Sequence, residues 1–334
     1  MSVKLIDVAN KAGVSKSTAS QYLNGRYKYM SLETKERIRL AIEELNFVPN
    51  QIARSLKTEK TNTIGIIVSN ITGSITSQVI RGVDDYCKKN NYNLLIYNTD
   101  YIKEMEKKSI ATLNSLKADG LIITSSGEIN DLLNTEDQGS LPIVHIHRDF
   151  DGLKVNTVLS DYTQGAYAAT EYLIQLGHTR IGVITRPYDK IPSRRRRLNG
   201  CKNALEKNHI PFDSNLVQIA NTECDIERIY NYFMSLTEPP TVIFTMYSMI
   251  TIDLLRYFNK HNISVPEDIS LLAFDDLTLA DLLKVPLTVV NQQSYELGEK
   301  AASLLLNKIA LPKKPQENIT LPCNLIIRSS CKKI

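Results

Sequence analysis

The sequence predicts a small all-α head followed by a larger α/β body with parallel sheets. Helical periodicity with a tight turn marks the N-terminus, and short apolar runs alternate with amphipathic stretches from residue 61. The length of 334 residues exceeds one average domain. Residues 1–60 carry 11 Lys/Arg and 6 Asp/Glu, whereas the remainder carries 29 and 30. A polyanionic partner would therefore meet the N-terminal segment.

Cysteine spacing and hydropathy indicate the cellular compartment in which the protein is expected. The N-terminus has no apolar signal-peptide core, and no later run approaches the ~20 apolar residues of a membrane-spanning helix. The five cysteines are dispersed without Cys-x-x-Cys spacing, which predicts reduced thiols. We expect a cytoplasmic protein with no metal, no cofactor and no membrane partner.

The N-terminal head is predicted to form three short helices. An apolar stripe at helical spacing covers residues 5–12, and Gly13 permits a tight turn. Ser15 is suited to cap a second helix over residues 16–23, and a third helix starts near Ser31. This is the pattern of a helix-turn-helix, although an ordinary small helical domain has the same periodicity.

The second helix is the candidate reading helix. Positions i and i+4 share a helical face, so Lys16, Ser17 and Gln21 are expected on the outer side. Polar side chains placed there can reach base edges in the major groove of DNA. The predicted DNA contacts of the head are Lys16, Ser17, Thr18, Gln21 and Arg26.

A second candidate DNA-reading segment covers residues 47–56. Pro49 suits a first helical turn, and Asn50, Ala53 and Leu56 share one face of the predicted helix. Helices shorter than ~12–15 residues are marginal alone in water, so this segment needs something to dock on. Two copies paired in the minor groove would wedge both Leu56 side chains into one base step. The alternative is an ordinary linker helix packed on the body.

The body predicts a ligand-binding cleft. Ligands of parallel α/β sheets bind outside the carboxyl ends of the strands. Polar residues follow the apolar runs at these ends: Asn70, Asn98, Thr99, Thr124, Ser125, His147, Arg148, Tyr247, Ser248 and Asp275. Each one alone is an ordinary strand-ending residue, but the set favours one cleft between two lobes.

These segments resemble the lactose-repressor (LacI/GalR) family of bacterial transcription regulators. The matching stretches include IDVA at 6–9, AGVS at 12–15, TKERI at 34–38, PN at 49–50, TIG at 63–65, LGH at 176–178, VPED at 265–268 and FDD at 274–276. The resemblance covers almost the whole chain. It implies a periplasmic-binding-protein-like core of two doubly wound lobes. It also implies a dimeric repressor whose grip on operator DNA changes when a small molecule binds, commonly a sugar or a nucleobase.

The predicted organisation has three parts: a helix-turn-helix domain at 1–46, a hinge helix or linker at 47–60, and an effector-binding and dimerisation core at 61–334. The expected lobes are about 61–158 with 291–322, and about 159–290 with 323–334. Two-fold operators favour a homodimer.

The resemblance also implies effector contacts. Arg197 matches the family's effector-binding arginine, Asp275 the acidic residue that accepts ligand hydroxyl protons, and Gln292 a hinge-side ligand position. Combined with the strand ends, the predicted effector residues are Asn70, Thr99, Thr124, His147, Arg148, Arg197, Tyr247, Asp275 and Gln292.

Departures from the family suggest an unusual effector. His147 stands where an Asp is common, while Ile75 and Thr76 replace an aromatic platform, which argues against a neutral pentose or hexose. Because Arg148 and Arg197 are kept, the pocket becomes more cationic, and guanidinium groups bind carboxylates bidentately. We expect a sugar acid, with a 2-keto-3-deoxygluconate-like compound as the leading candidate. Three of the four arginines at 194–197 are expected to point to solvent. Gln21 replaces a usual Arg, which predicts a different operator.

The predicted function is therefore a sequence-specific repressor of carbohydrate-catabolism genes under effector control. A solute-binding protein of extracytoplasmic type would explain the body but not the head. An α/β enzyme would need a recognisable catalytic motif, and no GxSxG, P-loop, GxGxxG or HExxH sequence occurs. Whether the effector releases or strengthens DNA binding stays open.

Overall fold

The computed structural model describes residues 3–48, 60–133, 141–148, 150 and 152–334. The chain divides into two units, Met1–Thr61 and Asn62–Ile334. Among the described residues, no helix is long and apolar enough to cross a membrane.

Over residues 3–48, the described part of the first unit contains three helices: α1 (Leu5–Lys11), α2 (Lys16–Leu23) and α3 (Leu32–Glu44). The side chains of Ser15 and Ser31 accept backbone N–H groups at the starts of α2 and α3, each at 3.1 Å. These caps satisfy amides that have no partner within the helix. The helices enclose a small apolar core of Val8, Ala12, Ile38, Ala41 and Phe47. The head is a helical unit, as its periodicity predicts.

The second unit begins with a sheet of six parallel strands. They are β1 (Thr63–Val68), β2 (Asn93–Asn98), β3 (Gly120–Ile123), β4 (Ile143–Ile146), β5 (Asn156–Ser160) and β11 (Asn318–Leu321), in the order β11-β5-β4-β3-β1-β2. Its associated helices are α4 (Ser74–Lys89), α5 (Lys103–Ser115), α6 (Asn130–Leu133) and α11 (Ser294–Ala310). Buried aliphatic residues separate the sheet from the helices on both faces.

The other sheet also has six strands. They are β6 (Ile181–Thr185), β7 (Val217–Ile219), β8 (Val242–Thr245), β9 (Ser270–Phe274), β10 (Thr288–Gln292) and β12 (Cys323–Ile326), in the order β12-β10-β9-β8-β6-β7. All pairs are parallel except β10 with β12. Its helices are α7 (Tyr162–Gln175), α8 (Pro192–Lys207), α9 (Asp225–Ser235) and α10 (Ser248–His261), with one 3-10 turn at Ser214–Leu216.

The chain passes between the two sheets three times, after β5, β10 and β11. Helices α4 and α11 approach closely at two glycines. A Cβ on Gly82 would lie 2.1 Å from the Tyr295 carbonyl oxygen, and one on Gly298 would lie 2.2 Å from that of Val79. Only glycine fits such a crossing. The predicted fold class, a helix-turn-helix head and a core of two α/β lobes, is confirmed.

Candidate functional site

The first unit presents the predicted reading face on α2. The exposed side chains on and just after this helix include Lys16, Ser17, Gln21 and Arg26. Thr18 differs, because it is half-buried and its hydroxyl lies 2.8 Å from the Ser15 hydroxyl. Asn50, Ala53 and Leu56, the predicted contacts of the hinge segment, lie outside the described residues.

The second unit contains a cavity between its two sheets. Its empty space is about 930 Å³, including the part open to solvent. Eight predicted effector residues line it: Asn70, Thr124, His147, Arg148, Arg197, Tyr247, Asp275 and Gln292. The strand ends therefore converge on one cleft.

Thr99 is the predicted effector residue that the structure does not bring to the cleft. It is completely buried, and its hydroxyl donates to the carbonyl of Val68 at 3.3 Å. The hydroxyl therefore ties the end of β2 to β1 rather than facing a ligand.

A buried network forms the polar floor of the cleft. The Arg197 Nη1 atom lies 3.5 Å from Asp275 Oδ2, and the Gln292 amide donates to Asp275 Oδ1. Ser160 in turn donates to the Gln292 side-chain oxygen at 2.9 Å. Asp275 itself has a φ of +82°, a strained conformation of the kind that collects at ligand sites.

The Arg197 guanidinium is held against aromatic rings. Its central carbon lies 4.0 Å from the Phe274 ring centroid and 5.0 Å from that of Tyr162. Its Nη1 also donates to the Met246 carbonyl, while its Nε has no hydrogen-bond partner among the described residues. A buried donor without a partner leaves room for a ligand acceptor.

His147 lies between two arginines and stays neutral. Its Nδ1 atom is 3.3 Å from the Tyr162 hydroxyl, which donates to the His147 carbonyl at 3.1 Å. Burial lowers the pKa of His147 to about 3, and the charges of Arg197 and Arg148 act in the same direction. The imidazole adds hydrogen-bonding capacity to the cleft and no charge at neutral pH.

Two further arginines reach the cleft. Arg148 is buried and donates to the Ser125 carbonyl, and burial lowers its pKa against the opposing influence of Tyr101 and Glu106. Arg194 donates to the Pro187 carbonyl at 2.7 Å, and burial together with the Arg148 charge lowers its pKa to about 10.

Arg194 corrects the expectation that three of the four arginines at 194–197 point to solvent. Positions i and i+3 share a helical face, so Arg194 and Arg197 both line the cleft from α8. Arg195 is exposed and Arg196 half-exposed.

Two tyrosines, Tyr101 and Tyr247, also line the cleft. The hydroxyls of Tyr101 and Tyr247 lie 3.3 Å apart, joining the loop after β2 to the loop after β8. Arg148 lies 5.8 Å from the Tyr101 ring centroid, and Arg186 lies 5.5 Å from that of Tyr247. Tyr101 and Arg186 are cleft residues that are not predicted from the sequence. The Tyr rings also provide aromatic surface that the replacements at Ile75 and Thr76 suggested was lacking.

Within the described ranges, no group of three or more His, Cys, Asp or Glu side chains could hold a metal ion.

A helical unit with an exposed second helix, followed by a two-lobed unit with a polar cleft, is the arrangement expected of a DNA-binding transcription regulator. Residues 4–50 match the lacI family of bacterial regulatory proteins, and residues 170–331 match the periplasmic binding protein-like domain. The chain is 37% identical over 316 residues to the Probable HTH-type transcriptional regulator EndR of Paenibacillus polymyxa, covering 94% of this chain and 93% of that protein. The chain belongs to the LacI family.

Two more comparisons agree. The ribose operon repressor of Haemophilus influenzae is 32% identical over 327 residues, with 97% of each chain covered. The crystal structure of the Lac repressor dimer bound to operator and the anti-inducer ONPF has the same fold, with a TM-score of 0.84 and 22% identity. That match covers 99% of this chain and 100% of the other. The protein is a DNA-binding transcriptional repressor and not an enzyme.

Proposed function

We propose that this repressor controls carbohydrate-catabolism genes, and that a sugar acid bound in the cleft sets its affinity for operator DNA. It would act in the cytoplasm as a homodimer on a two-fold operator. Lys16, Ser17, Thr18, Gln21 and Arg26 would contact DNA, together with Asn50, Ala53 and Leu56 of the hinge segment.

The positive charge of the cleft lining is the observation that supports an acidic effector. Its described lining contains four arginines and one carboxylate: Arg148, Arg186, Arg194, Arg197 and Asp275. Asp275 is within ion-pair distance of Arg197. Among the described residues, Arg148 and Arg194 donate to backbone carbonyls, so a ligand carboxylate would add a negative charge beside both guanidinium groups.

Other residues of the cleft lining suit hydroxyl groups. Asp275 and Gln292 offer acceptor oxygens, and Asn70 and Ser248 add short polar side chains to the lining. A sugar acid combines a carboxylate with several hydroxyls, so it fits both sets. A 2-keto-3-deoxygluconate-like compound is the leading candidate. A neutral sugar would add no negative charge beside Arg148 and Arg194, and Asp275 is the one carboxylate among the described lining residues.

Regulation then follows from linkage. An effector changes operator affinity only if it binds one of two conformations of the repressor more tightly. The cleft lies between two lobes whose facing sides both contribute polar groups, so relative lobe position would change with occupancy. The sign of that coupling decides between induction and co-repression.

The test uses the full-length protein and two arginines of one helix. Calorimetry would compare 2-keto-3-deoxygluconate, galacturonate and ribose on the wild type, Arg194→Met and Arg195→Met. Losing one charge-assisted hydrogen bond of about 1.5–3 kcal/mol weakens binding at least tenfold. We expect that loss for Arg194→Met with an acid ligand, and no change for the exposed Arg195→Met.

A gel shift on the DNA upstream of the gene for this protein, with and without the same ligands, measures the regulatory response. Removal of residues 1–60 serves as the control and should abolish the shift. Tight binding of ribose without any binding of acids would contradict the effector class and leave the repressor assignment intact.

A further inference from the structure

A second compartment adjoins the cleft and is called here the outer compartment. Its described lining includes Phe150, Lys190, Ile191 and Met249, together with residues that it shares with the cleft. Glu128, Pro187 and Lys190 are exposed, so this space lies nearer the surface than the buried Arg197 and Asp275. Its empty space is about 1570 Å³ including the part open to solvent, which leaves room for a second sugar ring.

The tyrosine pair forms part of the wall shared by the two spaces. Tyr101 and Tyr247 line both of them, as do Arg148, Arg186 and Arg194. A ligand that occupied both spaces would pass this pair, whose hydroxyls can donate to and accept from a glycosidic or hydroxyl oxygen.

Tyr101 is held in a strained conformation. Asp100 has a φ of +49° and Tyr101 a φ of +63°, so two consecutive non-glycine residues are left-handed. The Asn98 amide donates to Asp100 at 2.8 Å and fixes this turn. Strain of this kind persists where the surroundings hold it, and it clusters at ligand clamps.

The outer compartment offers apolar surface for a ring. Phe150 lies edge-on to His145, with ring centroids 5.8 Å apart, and a Cβ on Gly127 would come within 2.5 Å of the Phe150 ring. Ile191 and Met249 add side chains from the second lobe. Sugar rings present apolar faces that pack on such surfaces, as small-molecule pockets commonly do.

The charges of the outer compartment are mainly positive. Lys190 adds to the shared Arg148, Arg186 and Arg194, and the carboxylate among the described lining residues is Glu128. Glu128 lies 3.9 Å from Lys103, which offsets part of its charge. A second anionic group would therefore be attracted beyond the tyrosine pair.

We propose that the outer compartment is a subsite for a second acidic sugar unit, so that the preferred effector is an acidic disaccharide. This rests on the proposed sugar-acid effector and extends it. One unit meets Arg197, Asp275 and Gln292, and its linkage passes beside the hydroxyl pair of Tyr101 and Tyr247. The second unit packs on Phe150 and Met249, with its carboxylate towards Lys190 and Arg186.

The test places a charge in the outer compartment alone. Met249 lines the outer compartment and is absent from the lining of the inner cleft. It lies in the first turn of α10, where a carboxylate is favourable to the helix. Met249→Glu would repel a second carboxylate, and Met249→Gln is the neutral control of the same length.

Calorimetry with full-length protein would compare uronates, the matching two-unit oligouronides and the neutral disaccharide cellobiose. We expect at least one oligouronide to bind the wild type about tenfold more tightly than its monomer and than cellobiose. Met249→Glu should remove that tenfold advantage and leave the monomer affinity unchanged, whereas Met249→Gln should retain most of it.

The outcomes separate the two proposals. If a uronate binds but its two-unit form binds no more tightly, the second subsite is refuted and the sugar-acid effector stands. Equal effects of Met249→Glu on monomer and dimer would also refute it. Tighter binding of cellobiose would overturn the acidic character of the subsite. If no acid binds in either form, the proposed effector class fails with it.

Discussion

The reading face of the head and the cleft of the body use polar side chains in opposite ways. On α2, Lys16 and Gln21 are exposed at the surface of a helix whose core lies on its other side. In the cleft, Arg197, Asp275 and Gln292 are buried and bonded to one another. Substitutions in the head should therefore alter DNA binding alone. Substitutions in the cleft should alter both ligand binding and stability.

The largest expected effect is on the stability of Asp275→Asn. This change leaves the Arg197 guanidinium buried without its carboxylate, and breaking a buried ion pair by removing one partner costs roughly 3 kcal/mol or more. Asn tolerates the positive φ at this position, so backbone strain is not the cause. Urea unfolding would measure the loss.

Glu36→Gln provides the contrasting control in the head. Glu36 and Arg39 form an ion pair with side chains that are 55% and 44% exposed, and such pairs contribute little. We expect its unfolding midpoint to stay near that of the wild type. Equal stability of Asp275→Asn and Glu36→Gln would break the distinction between the two regions.

The next effect is on operator affinity. A good bidentate contact to a base edge contributes about 1–3 kcal/mol, so Gln21→Ala should weaken specific binding by roughly 5- to 150-fold. Fluorescence anisotropy with operator DNA would measure this. Asn10→Ala, which removes an exposed amide from α1, is the control and should bind normally. Effector affinity should be unchanged in both variants, because the cleft lies in the other unit.

The convergence of polar residues in the cleft follows from sequence because parallel strands share one carboxyl edge. Thr124 and His147 follow β3 and β4 and line the cleft as expected. Thr99 follows β2 in the same way, yet it points inward to the Val68 carbonyl. The direction of a side chain depends on the residue at which the pleat ends, and the apolar run does not fix that residue.

Arg194 and Tyr101 illustrate two other sources of error. The position of Arg194 in the cleft could have been predicted from the sequence, because i and i+3 spacing puts it on the same face of α8 as the predicted Arg197. The position of Tyr101 in the cleft could not have been predicted in this way, because it lies in a loop where two consecutive positive φ values direct its ring. Propensities for αL at Asp and Tyr are too low for a sequence pattern to indicate such a turn.

Acid should affect the two regions differently. Burial lowers the pKa of His145 to about 4 and of His147 to about 3, whereas the unfolded value is about 6.5. The unfolded chain therefore binds more protons between these values, and stability is lost as pH falls below 6.5. The slope is up to about 1.4 kcal/mol per pH unit for each histidine.

Urea unfolding of the full chain at pH 7 and pH 5 tests this. His147→Asn should reduce the loss of stability between the two pH values, because its share of the proton uptake disappears. Residues 1–60 contain no histidine, so histidine protonation in the head does not contribute to the pH dependence of stability. An unchanged pH dependence in the variant would show that His147 is protonated equally in folded and unfolded chains.

The smallest effect is on the salt dependence of DNA binding, and it concerns the head alone. Each phosphate that a cationic side chain neutralises adds about 0.9 to the slope of log affinity against log salt. If Lys16 meets a phosphate, Lys16→Gln should lower that slope by about one and weaken all DNA sequences alike. If it meets a base edge instead, the loss should fall mainly on the specific site. Lys260→Gln, which removes an exposed charge from the body, should change neither slope nor specificity. If Lys260→Gln changed the slope of log affinity against log salt and Lys16→Gln did not, the positive charge of the head would not be the main source of DNA binding.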